Sequence, residues 1–254
     1  MLTALKTIGK KLMPHVHIIT PVTQKTDALK GLEYLEKDGL VLTNSNLANG
    51  PASIECEYDE LLAGPETILR ALKAEREGAD AIVINCMGDP ALDAVREVVS
   101  VPVIGCGQTA MHYAAMLGHK FSVLPTLERR KFAYPAYANK YGLLSKLASV
   151  RPTGIPVREI DTDPKCFESI LACALAAIEE DGADAIVFGC THFRLDKELT
   201  QALSEKGLDV PVINPLPLAI LAAANIATLN LCHSKMSYPV PPQKQRPGYE
   251  HFEL

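Results

Sequence analysis

One nine-residue phrase occurs twice in this chain and constrains its fold more than any other feature. Residues 78–86 read GADAIVINC, and residues 182–190 read GADAIVFGC. A shorter phrase follows each copy: VPVIG at residues 101–105 and VPVIN at residues 210–214. Each half therefore predicts the same order of helix, strand, cysteine, helix and second strand. Two copies of one unit predict two related halves, whereas a solenoid needs at least about three repeats.

The segments between these phrases predict the fold class. Short runs rich in valine and isoleucine alternate with longer segments of helical period, which is typical of βα units around a parallel sheet. We predict an α/β fold of two pseudo-symmetric lobes, each a parallel-sheet βα sandwich, with the active site in the cleft between them. The predicted strands are residues 15–20, 39–46, 79–85, 101–106, 120–126, 155–161, 183–189 and 210–214. The predicted helices are residues 25–37, 59–77, 90–99, 108–117, 129–141, 164–181, 195–206 and 215–231.

Composition narrows the class of partner. The chain has 254 residues and a net charge of −5, without the clustered basic residues that nucleic acid requires, so we expect a small-molecule substrate. We find no signal segment and no run of about 18 apolar residues, which predicts a cytoplasmic protein that does not enter a membrane. The seven cysteines are an odd number and form no Cys-x-x-Cys pair, which favours reduced thiols over disulfides or structural zinc.

The cysteine that ends each copy of the repeat is the main candidate for chemistry. Cys86 and Cys190 both follow a predicted strand, and ligands of parallel sheets bind beyond the carboxyl ends of the strands. We expect Asp89 to cap the helix after Cys86, and Thr191 to cap the helix after Cys190. Both thiols would then face positive helix ends and ionise closer to neutral pH.

Pseudo-symmetry would bring these two cysteines to opposite sides of one cleft. One thiolate can remove a hydrogen from one face of a planarisable carbon while the opposing thiol protonates the other face, which inverts the carbon without a cofactor. With each sulfur about 3.5 Å from the carbon, the sulfurs would lie roughly 7 Å apart, too far for a disulfide. The alternative is that both cysteines are inert core, since cysteine is among the residues most often buried.

Four segments carry a resemblance to a known family. They read GPASIECEYDE (50–60), CMGDPALDAVRE (86–97), VPVIGCGQTAMHYAAMLGHKFSVLPTLERR (101–130) and GADAIVFGC (182–190). With them the chain resembles the aspartate/glutamate racemase superfamily, and within it the hydantoin racemase branch. The resemblance implies cofactor-independent racemisation by Cys86 and Cys190, in a protein that forms homo-oligomers.

The resemblance also implies how the chain is divided between the lobes. Residues 15–104 together with 210–232 would form the first lobe, and residues 105–209 the second. Outside them we expect an N-terminal arm over residues 1–14. A proline-rich tail without regular structure is expected over residues 233–254.

Departures from the family pattern bear on the substrate. The hydantoin branch usually carries Asn-Pro-Asn-Thr at the positions of Thr20, Pro21, Val22 and Thr23, so both amide side chains are missing. The phrase Cys-Thr-His-Phe at residues 190–193 resembles glutamate racemases instead, in which the matching threonine and histidine contribute to binding and proton handling.

The residues after the first cysteine favour a hydantoin over an amino acid as the substrate. Amino-acid racemases commonly have Asn and Thr at the positions of Met87 and Gly88. Backbone N–H groups at this turn suit a flat, weakly polar ring better than a zwitterion. The candidate substrate-binding residues are Pro21, Thr23, Ser53, Met87, Gly88, Thr126, Thr191 and His192. Capping or turn roles are the alternative for Thr23, Ser53 and Thr126, and a surface position is the alternative for His192.

Four functional hypotheses follow, of which a decarboxylase of the same superfamily is disfavoured because such enzymes typically keep only one of the two cysteines. The leading one is a racemase that inverts C5 of a 5-substituted hydantoin, a class that includes allantoin, with no cofactor and no metal. The alternative enzyme is an amino-acid racemase of the aspartate/glutamate type. The alternative of another class is a two-lobed small-molecule binding module, in which the cysteines would be inert.

Overall fold

The protein contains two parallel sheets of four strands each. The computed structural model describes residues 14–36 and 39–248. The strands are β1 (His15–Thr20), β2 (Val41–Asn46), β3 (Ala81–Ile84), β4 (Val103–Gly105), β5 (Phe121–Leu124), β6 (Leu147–Val150), β7 (Ala185–Phe188) and β8 (Val212–Ile213). The helices are α1 (Glu57–Arg76), α2 (Leu92–Val98), α3 (Cys106–Leu117), α4 (Ala133–Lys140), α5 (Cys166–Glu179), α6 (Asp196–Ser204) and α7 (Pro215–Thr228). The sheet orders are β2-β1-β3-β4 and β6-β5-β7-β8, so the predicted α/β class with two related lobes is confirmed.

The repeated phrase occupies the same place in both sheets. β3 and β7, which contain its Ala-Ile-Val core, are buried along their whole length and pair with β1 and β5. The glycine that opens each phrase has a positive φ, +90° at Gly78 and +70° at Gly182, which favours glycine. The phrase is therefore required by backbone geometry as well as by burial.

The aspartate of each phrase joins its strand to the neighbouring one. The Asp80 carboxylate accepts the N–H of His15 at 2.7 Å, where β1 begins. The Asp184 carboxylate accepts the N–H groups of His119 at 2.8 Å and Lys120 at 2.7 Å, immediately before β5. Both aspartates set the register of the central pair of strands, which explains why Gly-Ala-Asp recurs.

The two sheets share one hydrophobic core. Helices α3 and α7 pack against each other; α7 also covers β1, β3 and β4, and α3 contacts β7 and β5. The cluster that they form includes Val83 of β3, Val187 of β7, Met111 of α3 and Ile220 of α7, all fully buried. Helices α1 and α2 cover the other face of the first sheet, and α5 and α6 that of the second. This packing fixes the carboxyl ends of both sheets relative to each other.

The strand predicted at residues 155–161 is wrong. The second sheet contains β6 (Leu147–Val150) in place of the predicted strand. Within the predicted range the chain forms a short 3-10 turn at Val157–Glu159. Pro156, which has no N–H to give to a ladder, stands just before this turn. The edge strand β6 is only partly buried, which removes the apolar signal of a central strand.

The helix predicted at residues 25–37 is wrong as well. The described part of this segment consists of turns and a short 3-10 helix at Glu33–Leu35. Backbone carbonyls of this segment accept hydrogen bonds from the Arg194 guanidinium, whereas in a helix they would accept from backbone N–H groups. Arg194 donates to the carbonyl of Lys30 at 2.5 Å and to that of Asp27 at 3.2 Å. This partner is remote in sequence, so local periodicity could not indicate it.

The segment expected to complete the first lobe is divided. Strand β8 pairs with β7 and therefore extends the second sheet, whereas α7 packs on the first sheet.

Residues 233–248 of the tail contain no helix or strand. The Lys235 ammonium caps α2 by donating to the carbonyls of Arg96 and Val99, both at 2.7 Å. Of the expected arm, residues 1–13 lie outside the described residues. In the described part, no helix is long and apolar enough to cross a membrane.

Candidate active site

A cavity of about 740 Å³ lies beyond the carboxyl ends of the strands, between the two sheets. Its lining includes Cys86, Cys190 and every predicted binding residue except one: Pro21, Ser53, Met87, Gly88, Thr126, Thr191 and His192. The exception is Thr23, whose hydroxyl and N–H both donate to the carbonyl of Pro51, at 3.2 and 2.8 Å. Thr23 thus ties two loops together outside the cavity.

The residues adjoining the two cysteines touch across the cavity. The Thr191 hydroxyl, one residue after Cys190, donates to the carbonyl of Asn85, one residue before Cys86, in a long hydrogen bond of 3.5 Å. The Asn85 amide in turn donates to the hydroxyl of Thr20, at the end of β1, at 3.1 Å. Thr191 therefore links the two halves and does not cap a helix, since α6 begins only at Asp196.

Asp89 caps a different helix from the one predicted. Its carboxylate accepts the N–H groups of Gly107 at 2.9 Å and Gln108 at 2.7 Å, in the first turn of α3, and the hydroxyl of Tyr141 at 2.6 Å. Asp89 itself has a φ of 49°, and α2 starts three residues later. The side chain that follows Cys86 thus supports the central helix α3.

The expected lowering of the thiol pKa values is contradicted. Burial raises the pKa of Cys86 above its ordinary value, and the carboxylate of Glu60 raises it further. Burial also raises the pKa of Cys190, to about 11, against the lowering effect of the His192 and Phe193 N–H groups. Desolvation penalises a thiolate more than these turns stabilise it. Both thiols are therefore protonated at neutral pH in the free protein.

A buried ionic cluster lies beside Cys86. The Arg130 guanidinium, whose side chain is 7% exposed, donates to the carboxylate of Glu60 at 2.5 Å and to that of the exposed Glu57 at 3.2 Å. The Tyr137 hydroxyl lies 2.8 Å from the Glu60 carboxylate. A side chain at position 88 would collide with this carboxylate, so the absence of a Cβ at Gly88 lets Glu60 approach the turn after Cys86.

A tyrosine supports the turn before Cys190. Tyr134 is 2% exposed, lines the cavity, and donates its hydroxyl to the carbonyl of Gly189 at 2.5 Å. Burial raises the pKa of Tyr134 well above its ordinary value, although the Arg130 cation opposes this. The phenol therefore remains a hydrogen-bond donor.

His192 lies at the rim of the cavity. Its Nε2 lies 2.8 Å from the carboxylate of Asp161, which is largely exposed. Asp161 belongs to residues 155–161, which were wrongly predicted to form a strand. The structure thus gives this histidine a carboxylate partner. In the described part of the chain, no group of three or more His, Cys, Asp or Glu residues is arranged to hold a metal ion.

Four further residues at or beside the cavity were not among the predicted site residues: Asn85, Glu60, Arg130 and Tyr134. Two of these residues had a signal, because Glu60 ends the first family-like segment and Arg130 ends the third. Asn85 stands immediately before the repeated cysteine. Tyr134 had no local signal, since its contact with Gly189 joins residues 55 positions apart.

A parallel α/β fold with a cavity beyond the carboxyl ends of its strands is typical of proteins that bind small molecules. Comparison identifies the family: the Asp/Glu/Hydantoin racemase model matches residues 22–223. The chain therefore belongs to the Asp/Glu/hydantoin racemase family and is an isomerase of the racemase type.

Similar proteins agree with this family. The hydantoin racemase of Pseudomonas sp. (strain NS671) is 35% identical over 239 residues, covering 92% of this chain and 94% of that protein. The hydantoin racemase of Paenarthrobacter aurescens is 35% identical over 210 residues, covering 82% and 87%. The structure of allantoin racemase from Klebsiella pneumoniae is similar with a TM-score of 0.86 and 27% identity, over 94% of this chain and 98% of that one.

Proposed function

We propose that the protein racemises a 5-substituted hydantoin at C5 by proton transfer between Cys86, Cys190 and the substrate, without a cofactor. The observation that carries this proposal is the contact of Thr191 with Asn85, because it joins the residues next to the two cysteines across a shared cavity. The similarity to hydantoin and allantoin racemases supports the substrate class.

In the proposed reaction the substrate loses one proton from C5 and gains one proton at C5. One cysteine thiolate takes the C5 proton, and the C5–H electron pair moves into the ring as an enolate of the adjacent C4 carbonyl. The opposing cysteine thiol then protonates C5 from the other face. The first cysteine ends as thiol and the second as thiolate, which is the state that accepts the mirror-image substrate. Exchange of one proton with water resets the pair.

Backbone N–H groups provide the charge stabilisation that this step requires. The N–H of Gly88 lowers the pKa of Cys86, and those of His192 and Phe193 lower that of Cys190, in each case against the effect of burial. We propose that the same turns stabilise the enolate oxygen, with Met87 and Ser53 completing the ring pocket. Because both thiols are protonated in the free protein, one of them has to ionise before turnover.

The amino-acid racemase alternative has one observation in its favour. Thr191 and His192 line the cavity, which supports this alternative because the resemblance to glutamate racemases implies roles for them in binding and proton handling. His192 already contacts Asp161, however, so an incoming carboxylate would compete with an existing partner. L-Aspartate and L-glutamate are therefore the comparison substrates.

The test uses the purified protein and one enantiomer of 5-methylhydantoin in deuterated buffer. Optical signal and deuterium at C5 are followed together, against an enzyme-free control for spontaneous racemisation. We expect both to change faster with the protein. Failure with 5-methylhydantoin and allantoin, together with racemisation of aspartate or glutamate, would replace this proposal by the amino-acid alternative. Inactivity with all four would favour the binding module.

A further inference from the structure

The charged side chains around the cavity are mainly basic. The cations on its lining are Lys25, Lys30, Arg130, Arg158 and Arg194, and the carboxylates are Asp27 and Asp161. An excess of one sign in a concave site raises the local concentration of ligands of the opposite sign.

The carboxylates near the cavity already have partners. Asp161 contacts His192 at 2.8 Å, and the Asp27 carboxylate accepts the N–H of Leu29 at 3.1 Å. Glu60, close to the lining, pairs with Arg130 at 2.5 Å. A backbone N–H does not cancel the charge of Asp27, so beside the Glu60–Arg130 pair the lining has four cations against the two carboxylates Asp27 and Asp161, a net charge of +2.

Three cations have no anionic partner. Lys25, Lys30 and Arg158 form no ion pair with any described residue, and all three are exposed. Arg194 donates to backbone carbonyls of Asp27 and Lys30, which do not cancel its charge. The rim thus carries net positive charge from both halves: the lysines follow β1, and Arg158 follows β6.

The position of these cations matches one part of the substrate. In the proposed reaction C5 has to lie between Cys86 and Cys190, at the ends of the strands. The C5 substituent takes no part in the proton transfer and is free to extend toward the exposed rim. We infer that the enzyme prefers hydantoins whose C5 substituent carries a carboxylate, which would lie near Lys25, Lys30 and Arg158. This inference rests on the proposed function and narrows its substrate class.

A matched pair of substrates tests the inference. 5-(2-Carboxyethyl)hydantoin and 5-(2-carbamoylethyl)hydantoin have nearly the same shape and differ in charge. We expect kcat/KM to be about tenfold higher for the acid at low salt, and this ratio to fall several-fold as salt rises from about 0.01 M to about 0.5 M. Equal or lower kcat/KM for the acid would overturn the inference.

Variants identify the groups responsible. In the triple variant Lys25→Met, Lys30→Met and Arg158→Met, the acid-to-amide ratio should fall to about one. Lys206→Met, a change of an exposed cation beyond α6, should leave the ratio at its original value. An unchanged ratio in the triple variant would overturn the assignment. Racemisation of 5-methylhydantoin is measured alongside: inactivity of the unmodified protein with all three hydantoins would contradict the proposed function, whereas racemisation without a preference for the acid would contradict only this inference.

Discussion

The hydroxyl of Thr191 donates to the backbone carbonyl of Asn85, and this bond joins the residue after one cysteine to the residue before the other. Its length of 3.5 Å makes it weak, yet it lies where the two sheets face each other across the cavity. We expect this contact to help set the separation of Cys86 and Cys190, and replacing the Thr191 hydroxyl by a methyl group removes it.

Thr191→Val should lower kcat by about tenfold, because a small misplacement of one thiol lowers the rate of proton transfer. Thr191→Ser keeps the hydroxyl and is the matched control. Steady-state racemisation of both variants measures the effect. Equal kcat for Thr191→Val and the unmodified protein would show that this contact does not position the thiols.

Tyr134→Phe should lower the free energy of unfolding by about 1–3 kcal/mol, because the buried carbonyl of Gly189 loses its donor at 2.5 Å. It should also lower kcat, since Gly189 precedes Cys190. Tyr113→Phe is the control, because its hydroxyl has no hydrogen bond to any described residue. Urea unfolding measures the stability, and a loss equal to that of Tyr113→Phe would contradict the role given to Tyr134.

Glu60→Gln should lower the pKa of Cys86, because it removes a negative charge that raises it and leaves the Arg130 cation in place. Alkylation of Cys86 by iodoacetamide, followed by mass spectrometry across pH, should therefore start at lower pH. Cys190 in the same sample is the internal control. A shift of the same size at both cysteines, or none at Cys86, would contradict the direct effect of Glu60.

Burial of His17 should lower the free energy of unfolding in acid. It is 9% exposed, its ring contacts the hydroxyls of Thr43 and Ser45 at 2.8 Å, and burial lowers its pKa from 6.5 to about 4. The unfolded chain therefore takes up a proton before the folded one does. The contribution of His17 to the free energy of unfolding is fully present above pH 6.5. It is lost as the pH falls toward 4, by about 3 kcal/mol in all.

The matching experiment compares urea unfolding at several pH values for the unmodified protein and His17→Gln. The variant has no ring to protonate, so its stability should depend less on pH between 6.5 and 4. Parallel pH dependences of the two proteins would contradict the assignment to His17.

The features predicted correctly from the sequence are those with a local cause. Strands β3 and β7 are buried on both faces, and their apolar runs show this directly. The cavity at the carboxyl ends of the strands follows from parallel topology, so most candidate residues were placed on it. The expected homo-oligomer and cytoplasmic location stay predictions.

The errors have long-range causes. Asp89 has the sequence of a helix cap but caps α3, 18 residues away, because the turn after Cys86 directs its carboxylate there. The segment that was predicted as helix 25–37 gives its carbonyls to Arg194. The thiol pKa values were expected to fall with the helix ends, whereas burial dominates. Each of these results depends on packing between distant segments.

The central claim is tested most directly with the single variants Cys86→Ser and Cys190→Ser. Cys232→Ser, a change of an exposed cysteine, is the control. Each enantiomer of 5-methylhydantoin is incubated with each variant in deuterated buffer, and optical signal and C5 deuterium are recorded. We predict that both active-site variants lose interconversion, while each can still exchange the C5 hydrogen of one enantiomer. Racemisation at the unmodified rate by both Cys86→Ser and Cys190→Ser would contradict the account.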